Sequence, residues 1–270
     1  MELLVGIGKG KDQDPFKGGE SAARDVASSL GNAVPHVLML FCAGHIDTQK
    51  FLLGVRSVFP ETQLIGCTTA GHGTREELFD DGGVLMGIAG DSQKNFVSTH
   101  ATGVHNNETA IVKAVAENLR LQSPLAQLSG VLTFFDGLAG SGSLITETLK
   151  EEFPIHNILG GFAGDGMAFR GTQQFAGSEV FTDSAVALGI SGVAVGVAAE
   201  HGWRTISIPM TATKAEGALL MELDGKQKKK MYKKYTGIIF RMRFTIKSLN
   251  VFHALIFLFS NFLNKPRLTK

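Results

Sequence analysis

The sequence predicts a mixed α/β fold with mixed sheets, an internal duplication, and helices packed outside the sheets. Short apolar runs of strand length alternate with segments of helical period, as in proteins built from βαβ units. Segments of the chain also match one another in the same order. The matches are His36–Cys42 with Gly130–Asp136 at an offset of 94 residues, Asp81–Gly90 with Asp183–Gly192 at 102, and Ala22–Leu30 with Ile111–Leu119 at 89. Three ordered matches indicate a duplicated unit of roughly a hundred residues, although unrelated βα units also look alike.

The first copy covers about residues 1–90. Its apolar runs are short enough for strands, and its two longer amphipathic segments have the period of helices. In chain order the pattern predicts a strand at Leu3–Ile7, a helix at Gly18–Leu30, a strand at Val37–Phe41, a helix at Asp47–Val58, and strands at Gln63–Cys67 and Gly83–Ala89.

The second copy covers about residues 91–192, and Val193–Ala199 closes it. The pattern predicts strands at Phe96–Ala101, Val131–Phe135, Ile155–Leu159, Gln173–Phe175 and Ala185–Ile190, with helices at Glu108–Leu121 and Ser143–Phe153. Each strand–helix–strand unit has βαβ size, so its two strands are expected to be parallel with a right-handed crossover. The remaining strands of each copy are expected to form a β-meander that adds antiparallel edges.

Composition and charge exclude several classes of protein. A 270-residue chain with 44% hydrophobic residues and two cysteines is neither disordered nor a disulfide scaffold. Residues 226–270 hold twelve basic residues and no acidic one, so residues 1–225 carry a formal charge of −11. An acidic body argues against nucleic acid as a partner, because phosphate binding needs a basic footprint. Residues 1–8 lack the pattern of a secretory signal, and a cytoplasmic location is therefore expected.

The candidate binding site lies in the glycine-rich loops that follow the strands. In open α/β sheets, ligands bind beyond the carboxyl ends of the strands, where loops and helix N-termini meet. Backbone N–H groups there can bind an anion such as a carboxylate. The alternative is that these glycines serve tight turns and close packing of strand ends. The candidate ligand-binding residues are Gly66, Cys67, Thr68, Gly71, Asp136, Gly137, Ser141, Gly160, Gly161, Gly164 and Asp165.

Two pairs of residues at these strand ends invite a chemical interpretation. Cys42 and Cys67 end neighbouring strands, and they form either a redox or soft-metal pair or two small buried side chains. Asp136 corresponds to Cys42 in the repeat alignment. Asp136 and Asp165 either face one pocket as a carboxylate pair suited to acid–base chemistry, or they cap loops or hold a ligand amine. Ser141 or Ser143 is placed to cap the following helix. No G-x-S-x-G elbow or H-E-x-x-H motif is present, so no nucleophile–base set or metal site is predicted.

The strand-end motifs together resemble the FIST family, named for F-box and intracellular signal transduction proteins. The residues that carry the resemblance are Gly66–Gly71, Phe135–Gly137, Gly160–Asp165, His201–Trp203, Thr213–Lys214 and Glu222–Gly225. Residues 1–200 resemble the N-terminal FIST region, and residues 201–237 resemble the start of the C-terminal one.

The resemblance implies a sensory domain of intracellular signal transduction rather than an enzyme. Its ligand would be a small molecule such as an amino acid, and a separate protein would supply the signalling output. One alternative is a haem-based gas sensor, and another is an interaction adaptor of the F-box type. For haem, the axial ligand would come from among His36, His45, His72, His100, His105, His156 and His201.

Residues 238–270 depart from the family pattern. Their basic and aromatic bias suits an amphipathic segment that contacts an anionic membrane surface. The apolar run Leu249–Leu263 is shorter than the ~20 residues that a membrane-spanning helix needs. Out-of-frame translation is the third interpretation, and it would leave the C-terminal part of the fold incomplete.

Overall fold

A computed structural model describes residues 3–31, 33–90, 96–105, 107–123, 128–138, 141–153, 155, 157–198, 211–216 and 219–227. These residues form four helices and fifteen strands. His156, His201 and the segment 238–270 lie outside the described residues. Over the described residues, no helix combines the length and apolar character needed to cross a bilayer.

The first half contains two helices and six strands. In chain order they are β1 (Leu4–Gly10), α1 (Pro15–Ser29), β2 (Val37–Ala43), α2 (Thr48–Val58), β3 (Gln63–Thr69), β4 (His72–Gly73), β5 (Leu78–Phe79) and β6 (Gly83–Ala89). Both helices start at an aspartate that caps them: Asp14 accepts a hydrogen bond from Phe16 N, and Asp47 accepts one from Lys50 N.

The second half repeats this order. Its elements are β7 (Phe96–Thr102), α3 (Glu108–Gln122), β8 (Leu128–Phe135), α4 (Gly142–Glu152), β9 (Ile158–Phe162), β10 (Gln174–Ala176), β11 (Glu179–Phe181) and β12 (Ser184–Ser191). A separate three-stranded sheet follows, formed by β13 (Ala212–Glu216), β14 (Leu219–Leu223) and β15 (Lys226–Gln227). The described part of the segment Val193–Ala199, residues 193–198, was expected to close the second copy and contains no helix or strand.

The two main sheets share one topology. The first has the order β1-β6-β2-β3-β10-β11, and the second has the order β7-β12-β8-β9. In each, the central βαβ pair is parallel, as β2–β3 and β8–β9, and the remaining pairs are antiparallel. The predicted mixed α/β class is therefore confirmed. Among the strands expected to form antiparallel edges, β7 does so, whereas β6 lies between β1 and β2, and β12 lies between β7 and β8.

The sheets pack face to face with the helices on the outside, which gives four layers in the order α, β, β, α. One core lies between α1, α2 and the first sheet, and includes Val26, Phe51 and Leu40. A second lies between the two sheets, where Phe41 meets Phe134 edge-on at 5.4 Å. A third joins the second sheet to α3 and α4. Strands β2 and β8 are both covered on both faces, which fits the uniformly apolar sequence of β2 and the mostly apolar sequence of β8.

The hairpin β10–β11 belongs to the second half of the chain but extends the first sheet. Its strand β10 pairs antiparallel with β3, and Gln174 lies opposite Cys67. The corresponding hairpin of the first half, β4–β5, forms a small sheet by itself. The halves therefore share secondary structure as well as a core. This crossing brings the strand ends of the two halves together.

The structure corrects the alignment of β2 with β8 by one residue. Val37 pairs with Ile88, and Gly130 pairs with Ile190. Ile88 matches Ile190 at an offset of 102, so Val37 corresponds to Gly130 and Cys42 corresponds to Phe135, not to Asp136. Strand β2 is apolar throughout and β8 is apolar except for Ser129, Gly130 and Thr133, so hydropathy does not reveal a shift that moves every side chain to the other face.

Glycine allows α1 and α2 to pack closely. A Cβ on Gly19 would lie 1.9 Å from the carbonyl oxygen of Phe51, so the helices must separate to accept a side chain there. We expect Gly19→Ala to lower the free energy of unfolding by about 1–3 kcal/mol despite the better helix propensity of alanine. Ser21→Ala, at an exposed position of the same helix, is the control. Urea unfolding of both variants tests this, and an unchanged or raised stability of Gly19→Ala would contradict it.

Candidate functional site at the converging strand ends

The loops after β2, β3 and β9 meet at one place. The backbone N–H of Gly164 donates to the carbonyl of Thr68 over 2.9 Å. A Cβ on Gly44 would lie 3.1 Å from the Cα of Asp165. The strand ends of the two halves are thus in direct contact, as the position of the glycine-rich loops predicted.

A bridge segment, Thr172–Gln174, connects these ends through buried polar side chains. On the first half, the Thr48 hydroxyl donates to Gln173 Oε1 over 2.7 Å, and Gln173 N donates to Thr68 Oγ1 over 3.0 Å. On the second half, Gly137 N donates to Thr172 Oγ1 over 2.9 Å. The bridge therefore binds both halves at once.

The same network continues into the second sheet. Gln174 is fully buried, and its Oε1 accepts a hydrogen bond from the Ser184 hydroxyl over 2.6 Å. Sequence analysis did not select Thr48, Thr172, Gln174 or Ser184 as site residues. Three consecutive polar residues before a short apolar run, at residues 172–176, were the available signal. Their partners become apparent only once β10 is known to cross to the other half.

The two candidate carboxylates organise loops. Asp136 is buried, and its oxygens accept hydrogen bonds from Leu138 N at 2.8 Å and from Asp183 N at 3.1 Å. Asp165 is half-buried and accepts hydrogen bonds from three backbone donors, Phe169 N, Arg170 N and Gly171 N, at 3.0, 2.7 and 3.2 Å. Of the two roles considered from the sequence, loop capping is the one that these contacts support.

Asp165 holds an exposed loop, residues 166–171, in an unusual conformation. Met167 and Phe169 have positive φ angles of 65° and 52°, although neither is glycine. Their side chains are 63% and 60% exposed, so packing does not force this conformation. Left-handed backbone costs roughly 1–2 kcal/mol per residue outside glycine. The three hydrogen bonds to the Asp165 carboxylate are the interactions that offset this cost.

Several candidate glycines are required by close packing. A Cβ at Gly66, Gly137 or Gly160 would lie 1.9–2.2 Å from a neighbouring carbonyl oxygen, and one at Gly164 would lie 2.8 Å from Ala70 N. These contacts support the packing interpretation at these four positions. Gly71 has more room, since the nearest atom to its Cβ position is 3.8 Å away. Gly161 is half-buried within β9.

The two cysteines lie on opposite faces of the first sheet. Phe41 is the residue that pairs with Cys67, so Cys42, one residue further on, points the other way. Cys42 packs against the helices, and Cys67 packs between the sheets. Burial raises the pKa of both thiols. The structure therefore supports the interpretation as two small buried residues, and a redox or soft-metal pair does not fit it.

Helix α4 begins at the same place. Its N-cap residue, Ser141, makes no side-chain capping hydrogen bond, and its own N–H donates to Glu108 Oε1 over 2.6 Å. A Cβ on Gly142, the first helical residue, would lie 3.1 Å from the ring of Phe162, the last residue of β9. The N-terminus of α4 thus lies beside the loop that carries Gly164 and Asp165.

Ring nitrogens of three described histidines already form hydrogen bonds, and haem binding stays a prediction. His72 is buried, with Nδ1 3.0 Å from Thr69 Oγ1 and Nε2 3.2 Å from the Asp81 carbonyl. His36 Nε2 donates to the Gly90 carbonyl, and His45 pairs with Asp81. His105 is exposed. His100 lies in an open, largely polar groove and stacks on Phe181 at 4.2 Å.

That groove, between β7 and α3, has a volume of about 440 Å³. It lies away from the strand ends. Its lining residues are Ser98, Thr99, His100, Asn118, Leu121 and Gln122.

The fold is an α/β module whose two halves share one order of elements, with the candidate site where its strands end. A family model described as the FIST N domain matches residues 36–226, which is most of the chain. The chain belongs to the FIST family. FIST domains are in general sensory domains of signal transduction. The division of the chain at residue 200 stays a prediction.

The curated relatives carry names that state no function. The chain is 26% identical over 228 residues to uncharacterized protein MJ1623 of Methanocaldococcus jannaschii, covering 80% of this chain and 43% of that protein. It is 25% identical over 233 residues to uncharacterized protein Rv0628c of Mycobacterium tuberculosis, covering 83% and 57%. The chain thus spans about half the length of the curated relatives it matches.

Among solved structures, one similar chain is described as "Cyanuric acid hydrolase: evolutionary innovation by structural concatenation". The similarity covers 70% of this chain and 69% of that one, with 11% identity and a TM-score of 0.32. A TM-score this low supports no conclusion about activity.

Removal of the Asp165 carboxylate tests its role in the loop. We expect Asp165→Ala to lower the free energy of unfolding by about 2 kcal/mol, because three backbone donors lose a charged acceptor. Hydrogen exchange at Phe169, Arg170 and Gly171 should accelerate, with the rest of the sheet unaffected. Glu179→Ala, on the edge strand β11, is the control. An unchanged exchange rate at these three amides would contradict the assignment.

His72 makes stability depend on pH. Burial, the main cause, lowers the pKa of His72 below its usual value of about 6.5. The unfolded chain then binds a proton more readily than the folded one, so stability should be complete above about pH 6.5 and should decline as the pH falls below it. Comparison of denaturant midpoints at pH 7.5 and 5.5 for wild type and His72→Gln tests this. A pH dependence that is equally steep in both proteins would refute it.

Proposed function

We propose that this chain is a sensory domain that binds a small ligand, an amino acid, at the converging strand ends. Binding, rather than catalysis, is the proposed activity, because the Asp136 and Asp165 carboxylates already accept backbone N–H groups. The output is proposed to lie on a separate protein, and the expected location is the cytoplasm.

One observation carries the proposal: at the N-terminus of α4 the Ser141 side chain makes no capping hydrogen bond, although Glu108 accepts from its N–H, and this terminus contacts Phe162, two residues before Gly164. The first N–H groups of α4 have no intrahelical acceptor, and the Ser141 side chain does not cap them. The helix dipole and these donors favour a carboxylate. Residues 139–140, which lead into Ser141, are outside the described residues.

Asp165 supplies the complementary charge. Its carboxylate accepts three backbone hydrogen bonds, and two carboxylate oxygens have acceptor capacity for about four. A ligand that places an ammonium group near Asp165 and a carboxylate at the N-terminus of α4 has the two charged groups of an α-amino acid. Arg170, exposed in the same loop, is available to a longer acidic side chain.

A thermal-shift screen with the twenty amino acids at millimolar concentration tests the proposal. A ligand at ten times its Kd stabilises the folded chain by about 1.4 kcal/mol, which corresponds to a rise of about 3 °C in Tm. No shift with any amino acid, checked by calorimetry, would count against the proposal.

A charge at the helix N-cap then locates the site. Ser141→Asp supplies a capping carboxylate that competes with the ligand carboxylate, so the ligand-induced shift should be lost. The control is Asn107→Asp. Asn107 occupies the N-cap position of α3, and its side chain, like that of Ser141, makes no capping hydrogen bond. Both substitutions should stabilise the free protein slightly. Loss of the shift in both, or in neither, would refute the placement at α4.

A further inference from the structure

Three of the four outer edges of the two main sheets are protected against pairing with another strand. At β1, Lys9 N donates to Asp25 Oδ2 over 3.3 Å, and the Lys9 ammonium pairs with Glu77 at 2.9 Å. At β7, the amide of Ser98 donates to Gln63 Oε1 over 2.7 Å. The edge strand β11 has only three residues and includes Glu179. Charge, side-chain capping and shortness are the usual means of blocking an edge.

The fourth edge, β9, has none of these features. Its sequence, Ile158–Phe162, contains no charge and no proline. Within the described part of the chain, no strand pairs with its outer side. Asn157 O and Ala163 N form hydrogen bonds with β8, so the alternate residues Ile158, Gly160 and Phe162 direct their N–H and C=O groups outward.

The equivalent edge of the first sheet shows which structure such an edge accepts. Strand β3 occupies the position of β9, and its outward residues are Leu64, Gly66 and Thr68. The antiparallel strand β10 covers them: Thr68 N donates to Gln173 O, and Gly177 N donates to Leu64 O, both over 2.9 Å. An uncharged edge at this position therefore supports an antiparallel partner.

We infer that β9 pairs antiparallel with β9 of a second copy of this chain. Two-fold symmetry about Gly160 places Ile158 opposite Phe162 of the partner subunit. Both side chains lie on the face of the second sheet that packs against α3 and α4. Aromatic and β-branched side chains form favourable cross-strand pairs. The outward groups of the two strands would form up to six hydrogen bonds, and the four-stranded sheet would become an eight-stranded one. The absence of charge on β9 means that no like-charge contact opposes the pairing.

Sedimentation of the full chain across micromolar concentrations tests the inference, with two variants. Ile158→Pro removes the outward N–H at the first residue of the strand, where proline is tolerated within the sheet. It should weaken the dimer about tenfold or more, because one hydrogen bond is lost from each subunit. Ile158→Val, which retains the amide and the branched side chain, should form the dimer like wild type.

Amide exchange on the wild-type protein provides a measurement that does not depend on a variant folding. The amides of Ile158, Gly160 and Phe162 should become protected as concentration rises. A monomer at all concentrations would overturn the inference. So would a dimer that Ile158→Pro leaves intact, or protection of these amides in the monomer, which would mean that the rest of the chain covers the edge.

Discussion

The need to pair every buried polar group along the bridge segment governs how the two halves of this protein fit together. Thr172, Gln173 and Gln174 leave the second half and enter the first sheet, and each finds a hydrogen-bond partner there or in its own half. An unpaired buried amide or hydroxyl costs about 1–3 kcal/mol. The network is satisfied only when Thr48 and Thr68 from one half and Gly137 and Ser184 from the other are all in place. The position of the candidate site follows from this requirement.

Most secondary structure was predictable because its physical signals are local. The repeat match at an offset of 89 residues pairs Val26 with Val115 and Leu30 with Leu119. All four side chains are buried, at equivalent places in or at the end of α1 and in α3. The short hairpins β4–β5 and β10–β11 were not fully predicted, since strands of two or three residues have no periodicity. The position of β6 inside its sheet was also hidden, because a strand covered on both faces has the same composition at the centre or beside an edge.

The candidate site was predictable in location but not in detail. Gly164 does meet Thr68, and Asp165 meets Gly44, from the other half, which the placement of ligand sites at strand ends anticipated. The observed contacts of these residues differ from the predicted contacts with a ligand. The carboxylates accept hydrogen bonds from backbone N–H groups, and several glycines avoid clashes with carbonyl oxygens. A glycine-rich loop has the same sequence signature for either purpose, because both depend on the absence of a Cβ. Only the positions of the neighbouring backbone atoms separate them.

The crossing of β10–β11 makes the halves specialised despite their common topology. One hairpin, β4–β5, stays with its own half, and the other serves its neighbour. An exchange of the two segments along the chain would leave β3 without its covering strand. Whatever the origin of the repeat, the two halves are therefore not structurally interchangeable. Changes in one half are therefore coupled to the other half wherever one completes the other.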